Sequence, residues 1–253
     1  MRKRLIPVLL VDDRRRLVKT VRFGERTYVG DPFNVLRLFN EKEVDEICVL
    51  DIDATVQGRE PDFDFIAALS SECFMPLSYG GGITRLEHCE RLNRLGVEKF
   101  VLGHAALDRT LVQAISRDIG AQALTACVDV GGSGERARCL TRSARHHTDR
   151  HPLDVCRELQ DWGVGEIMLQ SIDRDGARTG MDLDLIRSLS HALSVPLVAL
   201  GGAGDSTHLA EALGAGASAV ASGSAFVFIG RLRAVLVSYP SPAQMDALAA
   251  RTP

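Results

Sequence analysis

The chain has 253 residues, 45% hydrophobic and 25% charged, with 23 Gly, 9 Pro and a formal net charge of -3 at pH 7. That composition supports a large folded core and excludes the disordered and fibrous classes, and the charge excludes a global attraction to nucleic acid or an anionic membrane. The six cysteines (Cys48, Cys73, Cys89, Cys127, Cys139, Cys156) contain no C-x-x-C pair, which argues against a zinc site or a disulfide framework and for a reducing cytoplasm.

From the N-terminus, basic Met1–Arg4 leads into a strand-length apolar run, Leu5–Val11, too short for a signal peptide or a membrane span. Further strands are expected at Ile47–Ile52, Met75–Tyr79, Lys99–Leu102, Leu124–Asp129, Glu166–Gln170, Pro196–Leu200 and Ala219–Ser222. Between them, segments of helical period predict helices at Pro32–Val44, Asp62–Ser71, Arg85–Leu95, Arg109–Ile119, Leu153–Trp162, Leu183–Leu193 and Thr207–Leu213, with a short one near Arg231–Val237. Asp31-Pro32 and Asp205-Ser206 read as helix starts, and Gly96, Gly163 and Gly214 as left-handed stops. Eight strand-helix units predict one (β/α)8 TIM barrel spanning residues 1–253, because an open doubly wound sheet usually has five or six strands.

The second half echoes the first: Leu50-Asp51-Ile52-Asp53 recurs in outline as Gln170-Ser171-Ile172-Asp173, and Gly80-Gly81-Gly82 as Gly201-Gly202-Ala203-Gly204. Two four-unit halves related by a pseudo-twofold axis are expected. The segment Asp12–Gly30 is too long for a routine connection and reads as an active-site lid carrying Lys19, with Gly131–His151 as its counterpart.

In a (β/α)8 barrel the chemistry sits at strand C-termini. Asp51, Asp129 and Asp175 fall there, and Asp129, beside apolar Leu124–Val128, is a candidate general acid or base with a raised pKa. Two glycine cradles for phosphate are expected, one at Gly82 and Gly103, the other at Gly202, Gly223 and Ser224. They suit a small ligand phosphorylated at both ends. His146, His147 and His151 have no metal-ligand spacing, so neither a metal nor a cofactor is expected.

Arg4-Leu5-Ile6-Pro7, Leu17-Val18-Lys19, Gly30-Asp31-Pro32, Gly80-Gly81-Gly82-Ile83, Ser171-Ile172-Asp173-Arg174-Asp175-Gly176 and Phe226-Val227-Phe228 form an ordered series along almost the whole chain. It resembles the cyclase subunit (HisF) of imidazole glycerol phosphate synthase, the barrel partner of a glutaminase in histidine biosynthesis. The resemblance implies that ammonia from a glutaminase (HisH-like) on the N-terminal face crosses the barrel to a bis-phosphorylated aminoimidazole ribonucleotide. It makes Asp129 a catalytic aspartate, Lys19 the lid lysine and Asp51 a structural or substrate-orienting acid, with Asp175 and Gly176 at the substrate. Arg4, Glu46, Lys99 and Glu166 match the family's charged gate at the barrel bottom.

The departures matter equally. Where the family carries its first catalytic aspartate, the strand Val8-Leu9-Leu10-Val11 has Leu10. Asp12 shares that face by alternation but lies about 6.6 Å further along, and is the candidate replacement. Gly103-His104 replaces the family's Asn-Thr, and the Arg142–His151 stretch lacks its glycine-rich loop. The chain is thus similar to divergent paralogues that accompany sugar amidotransferases in surface-polysaccharide pathways, where such a barrel supplies ammonia.

Overall fold

The computed structural model describes residues 3–229, 234–241 and 244. In chain order its elements are β1 (Arg4–Val11), β2 (Leu17–Thr20), β3 (Arg26–Gly30), α1 (Pro32–Glu41), β4 (Ile47–Asp51), α2 (Ala54–Gln57), α3 (Phe63–Ser71), β5 (Leu77–Gly80), α4 (Leu86–Arg94), β6 (Lys99–Leu102) and α5 (Arg109–Ile115). The second half holds β7 (Leu124–Gly131), β8 (Arg138–Thr141), β9 (His146–His147), α6 (Pro152–Asp161), β10 (Glu166–Ser171), α7 (Leu183–Ala192), β11 (Leu197–Leu200), α8 (Ser206–Gly214), β12 (Ala219–Ser222), β13 (Phe228–Ile229) and β14 (Ala234–Val235).

Eight strands pair in parallel in the order β1-β4-β5-β6-β7-β10-β11-β12, and β12 returns to β1, so the sheet closes. The fold is a (β/α)8 TIM barrel. Strand periodicity of two sorts its side chains. On β1, Leu5, Leu9 and Val11 pack outward with the helices, whereas Ile6 and Val8 turn into the barrel, where Cys48, Val101, Met168, Val198 and Leu200 join them. The outer layer is the larger core, and it anchors the strand ends that carry the site.

The helix starts follow their caps. Asp31 accepts the Asn34 amide ahead of Pro32, and Asp62, Asp108, Asp182 and Asp205 cap α3, α5, α7 and α8 in the same manner. Gly96 and Gly163 take the expected left-handed conformation. For α8 the expectation needs correction: Gly214 is its last helical residue, and Gly216, at φ 105°, makes the reversal. The predicted helix near Arg231–Val237 is corrected too, since Ala234–Val235 is a strand antiparallel to β13, while residues 231–233 lie outside the described residues.

The half-chain echo is a real structural repeat. A Cβ on Gly81 would lie 2.4 Å from the Asp51 carbonyl, and one on Gly201 would lie 2.5 Å from the Ser171 carbonyl. His88 accepts the Thr84 amide just as His208 accepts the Gly204 amide. Each half also carries one long excursion after its first strand, and both are β-hairpins: β2 and β3 in the first half, β8 and β9 in the second.

Candidate active site

At the C-terminal end of the barrel the strands surround a cavity of about 190 Å³. Of the residues expected at a site, Lys19, Asp51, Gly103, Asp129, Asp175, Gly176, Gly202, Gly223 and Ser224 line it. Leu10 lines it as well, on the interior face that β1 presents through Ile6 and Val8.

Asp129 closes the interior row Thr125, Cys127, Asp129 of β7. Its carboxylate meets the Cys127 thiol at 3.8 Å and no backbone amide among the described residues. Desolvation, helped by the nearby charge of Asp175 and opposed by the thiol, pushes its pKa up to about 7. Lys19 reaches in from β2 and donates to the Val8 carbonyl at 2.7 Å. Burial brings its pKa down to about 7 against the pull of Asp175. Asp175 is raised by desolvation, although Thr20, at 3.0 Å, and Gln170 donate to it. Asp129 and Lys19 thus face one cavity with proton affinities near neutral pH, and Asp175, raised by burial, lines the same cavity. A Cβ at Gly223 would stand 2.7 Å from the Lys19 amine, so any larger residue there would displace that side chain.

Two residues named from sequence fall elsewhere. Asp12 is not in the cavity lining: β1 ends at Val11, and the chain turns at once, with the Asp12 carboxylate accepting the Arg14 and Arg16 amides and the Arg16 guanidinium. The turn withdraws Asp12 from the face that alternation assigned to it. Gly82 is also absent from the lining; a Cβ there would strike the backbone of Arg59 and Glu60.

The two cradles are built differently from the expectation. Behind Gly103 lies only a four-residue 3-10 turn, His104–Leu107, too short to present a helix N-terminus. Ahead of α8 the first amides are taken by Asp205, so the Gly202 end rests on its glycine loop and on the Gly223-Ser224 segment. Asp51 receives the Asp53 and Ala54 amides and the Arg59 guanidinium, which makes it a loop organiser at the rim. The β2–β3 hairpin is docked on the rim: Arg26 pairs with Asp53, the Arg22 amide donates to the Asp175 carbonyl at 2.9 Å, and Gly176 packs under Thr20.

Cavity residues not singled out from the sequence as site residues include Thr20, Phe23, Arg26, Thr55, Arg142, Ser143, Gln170 and Ser222. Alternation from Glu166 through Met168 was enough to find Gln170. Nothing in the local pattern points to Arg142 or Ser143, which arrive from the distal turn of the β8–β9 hairpin.

At the opposite end, Arg4 bonds both Glu46 and Glu166, and Lys99 reaches Glu166 at 2.8 Å and Glu46 at 3.5 Å. Thr125 adds a hydroxyl to Glu166 at 3.1 Å, and Ser78 one to Glu46. Burial pushes the Glu166 carboxyl up, but Lys99 and Arg4 outweigh it and hold the group below its ordinary value. The result is an alternating four-charge ring across the barrel bottom, with an apolar interior between it and the cavity. The profile of the family described as "Histidine biosynthesis protein" matches residues 4–232, which takes in ring, barrel and rim together.

The chain belongs to the histidine biosynthesis protein family. Within it the chain is HisF-like. It is 46% identical to a Pseudomonas aeruginosa protein provisionally named imidazole glycerol phosphate synthase subunit hisF2, over 97% of this chain and 99% of that one. It is 41% identical to the similarly named hisF3 of Vibrio vulnificus, over 96% and 95%. The imidazole glycerol phosphate synthase subunit HisF of Exiguobacterium sibiricum is 38% identical over 88% and 90%. Among the described residues no helix is long and apolar enough to cross a membrane, and no cluster of His, Cys, Asp and Glu could hold a metal ion.

Proposed function

We propose that this HisF-like chain is the cyclase subunit of an imidazole glycerol phosphate synthase, acting in the cytoplasm with a glutaminase (HisH-like) subunit on its N-terminal face. The observation that carries the reading is the pair of poised groups, Asp129 and Lys19, in one cavity above an apolar interior that a four-charge ring closes below. Ammonia released by the glutaminase enters past Arg4, Glu46, Lys99 and Glu166, crosses the barrel, and attacks a bis-phosphorylated aminoimidazole ribonucleotide. Ring closure and cleavage then yield imidazole glycerol phosphate and the aminoimidazole ribotide. Asp129 exchanges protons with the reacting atoms, Lys19 closes the cavity and supplies or takes a second proton, and no cofactor is required. Gly202, Gly223 and Ser224 receive one phosphate and the Gly103 side the other. Turnover of that precursor with ammonium salts tests the reading; a rate equal to the buffer control rejects it.

A second reading rests on Leu10, which leaves β1 without a carboxylate inside the cavity. In it the barrel is a conduit that delivers ammonia to a sugar amidotransferase of surface-polysaccharide biosynthesis and has little cyclase activity. Copurification of the chain with its glutaminase and an amidating third protein, together with no turnover of the aminoimidazole precursor, would decide for it.

A further inference from the structure

Asp129 differs from the other carboxylates of the cavity in what it bonds to. Asp51 and Asp53 each accept backbone amide and arginine hydrogen bonds, and Asp175 accepts from Thr20 and Gln170. Among the described residues the hydrogen-bond partner of Asp129 is the Cys127 thiol, at 3.8 Å. The two residues are two apart on β7, so strand alternation puts both on the interior face, with the thiol one step below the carboxylate. Cys127 packs on the apolar interior cluster and also lines the cavity, which places it at the boundary between the two.

A thiol is a weak hydrogen-bond donor. Burial and the charge of Asp129 push the Cys127 pKa far above its ordinary value, so the thiol keeps its proton throughout the range in which Asp129 titrates. The bond it donates favours the ionised carboxylate, whereas desolvation and the charge of Asp175 oppose ionisation. An arginine or a pair of amides in the same place would keep the carboxylate ionised, and an aliphatic side chain would hold it protonated to higher pH. The other titratable or charged groups around the cavity are Lys19 of β2, Arg26 of β3, Asp51 of β4, His104 after β6, Arg142 of the β8–β9 turn and Asp175 after β10. Cys48 lies on the interior side of Cys127, and Cys139 and Arg150 border a recess behind Asp129. Direct hydrogen-bond control of Asp129 therefore falls to Cys127.

We propose that Cys127 is the positioning residue of Asp129: its thiol orients the carboxylate toward the cavity and sets how readily that group gives and takes a proton. The inference deepens the cyclase reading and rests on it for the reaction in which Asp129 acts. Cys127 itself exchanges no proton with the substrate and forms no bond to it. A weak donor suits a group that must pass through both protonation states in one turnover, because neither state is locked.

The test is a pair of variants of equal shape, Cys127→Thr and Cys127→Val, which differ only in a hydroxyl donor. The Asp129 carboxyl resonance of the full chain is followed by carbon NMR across pH and assigned by its loss in Asp129→Asn. Asp129 should titrate above the parent in the Val variant and about 1 unit or more lower in the Thr variant than in the Val variant, roughly tenfold in proton affinity. Cys48→Ala, which removes a neighbouring interior thiol, should leave the titration where it is. Should either β-branched variant fail to fold, Cys127→Ser against Cys127→Ala makes the same comparison. In the parent, the infrared S–H band of Cys127 should move to lower frequency as Asp129 ionises. The limb of kcat against pH that follows Asp129 should shift with each variant, with KM for the precursor unchanged. An S–H band indifferent to the Asp129 titration, or equal Asp129 pKa values in the Thr and Val variants, overturns the proposal. Failure of ammonia-dependent turnover with these titrations intact counts against the cyclase reading alone, so the two ideas fail separately.

Discussion

Asp129 is held in a state that the unfolded chain does not share. Its folded pKa of about 7 lies above the ordinary carboxylate value, so the folded protein resists ionising it and loses stability as pH rises from the unfolded pKa to the folded one. Below about pH 4 both states are protonated and the penalty is absent; above 7 it is complete, at most about 4 kcal/mol for a shift near three units. Asp129→Asn should therefore be more stable than the parent at pH 8 but not at pH 4, in urea titrations at both, while losing ammonia-dependent turnover by about 10²–10⁴-fold. Equal stability differences at the two pH values would show that the carboxylate is not desolvated. Leu10 calls for the reverse experiment. Leu10→Asp places a carboxylate on the cavity face of β1, and should raise cyclase turnover by a comparable factor if the pocket still takes the family's substrate. A folded variant that binds the precursor with no gain points to the conduit reading. These residues were legible because strand alternation and strand ends are local. Asp12 was misplaced because a tight turn stabilised by its own carboxylate begins one residue after β1, and Arg142 was missed because its place depends on a left-handed turn of ordinary residues.

The hairpin β2–β3 shows how an insertion becomes part of a site. Leu10 and Val11 pair with Val18 and Leu17, so the hairpin extends the sheet from β1 and carries Lys19 inward to the Val8 carbonyl. Its outer strand is tied down by the two-pronged contact of Arg26 with Asp53, each bond 2.6 Å. Arg26→Gln should free the hairpin tip, raise KM and expose Lys19, so that a lysine-directed reagent labels it at least several-fold faster. Protection of Lys19 equal to the parent's would assign the anchoring to the Arg22 and Thr20 contacts with the loop holding Asp175. The eight strands and seven of the helices were readable from periodicity and caps, most ends shifting by a residue or two, while α1 and α5 stop three and four residues short of the expected Val44 and Ile119. Both hairpins were readable only as overlong connections, since their short strands pair locally and carry little hydrophobic pattern. The segment near Arg231–Val237 misled for the same reason.

Across the whole molecule the barrel separates two kinds of polar chemistry by one apolar layer. Above it buried Asp129 and Lys19 have proton affinities near neutral pH; below it Arg4, Glu46, Lys99 and Glu166 pair with one another. A ring of this kind is a weak source of net stability but is costly to break, because a vacated position leaves an uncompensated buried charge. Arg4→Met leaves Glu46 and Glu166 sharing Lys99 alone. The expected loss is about 3–5 kcal/mol at pH 7, the range for breaking a buried pair. In the parent, Glu166 has a depressed pKa, so its contribution is present above the ordinary glutamate value and fades as pH falls through the folded one. In the variant one glutamate instead takes up a proton at higher pH, so the difference in urea midpoint between parent and variant should shrink as the pH is lowered from 7 to 5. Kinetics then separate gate from brace. If the ring regulates entry from a docked glutaminase, Arg4→Met should keep turnover on ammonium salts, which can enter from the rim, and lose most of its turnover on glutamine. A parallel fall in both rates, tracking the fraction folded, would make the ring a structural brace and leave ammonia another way in.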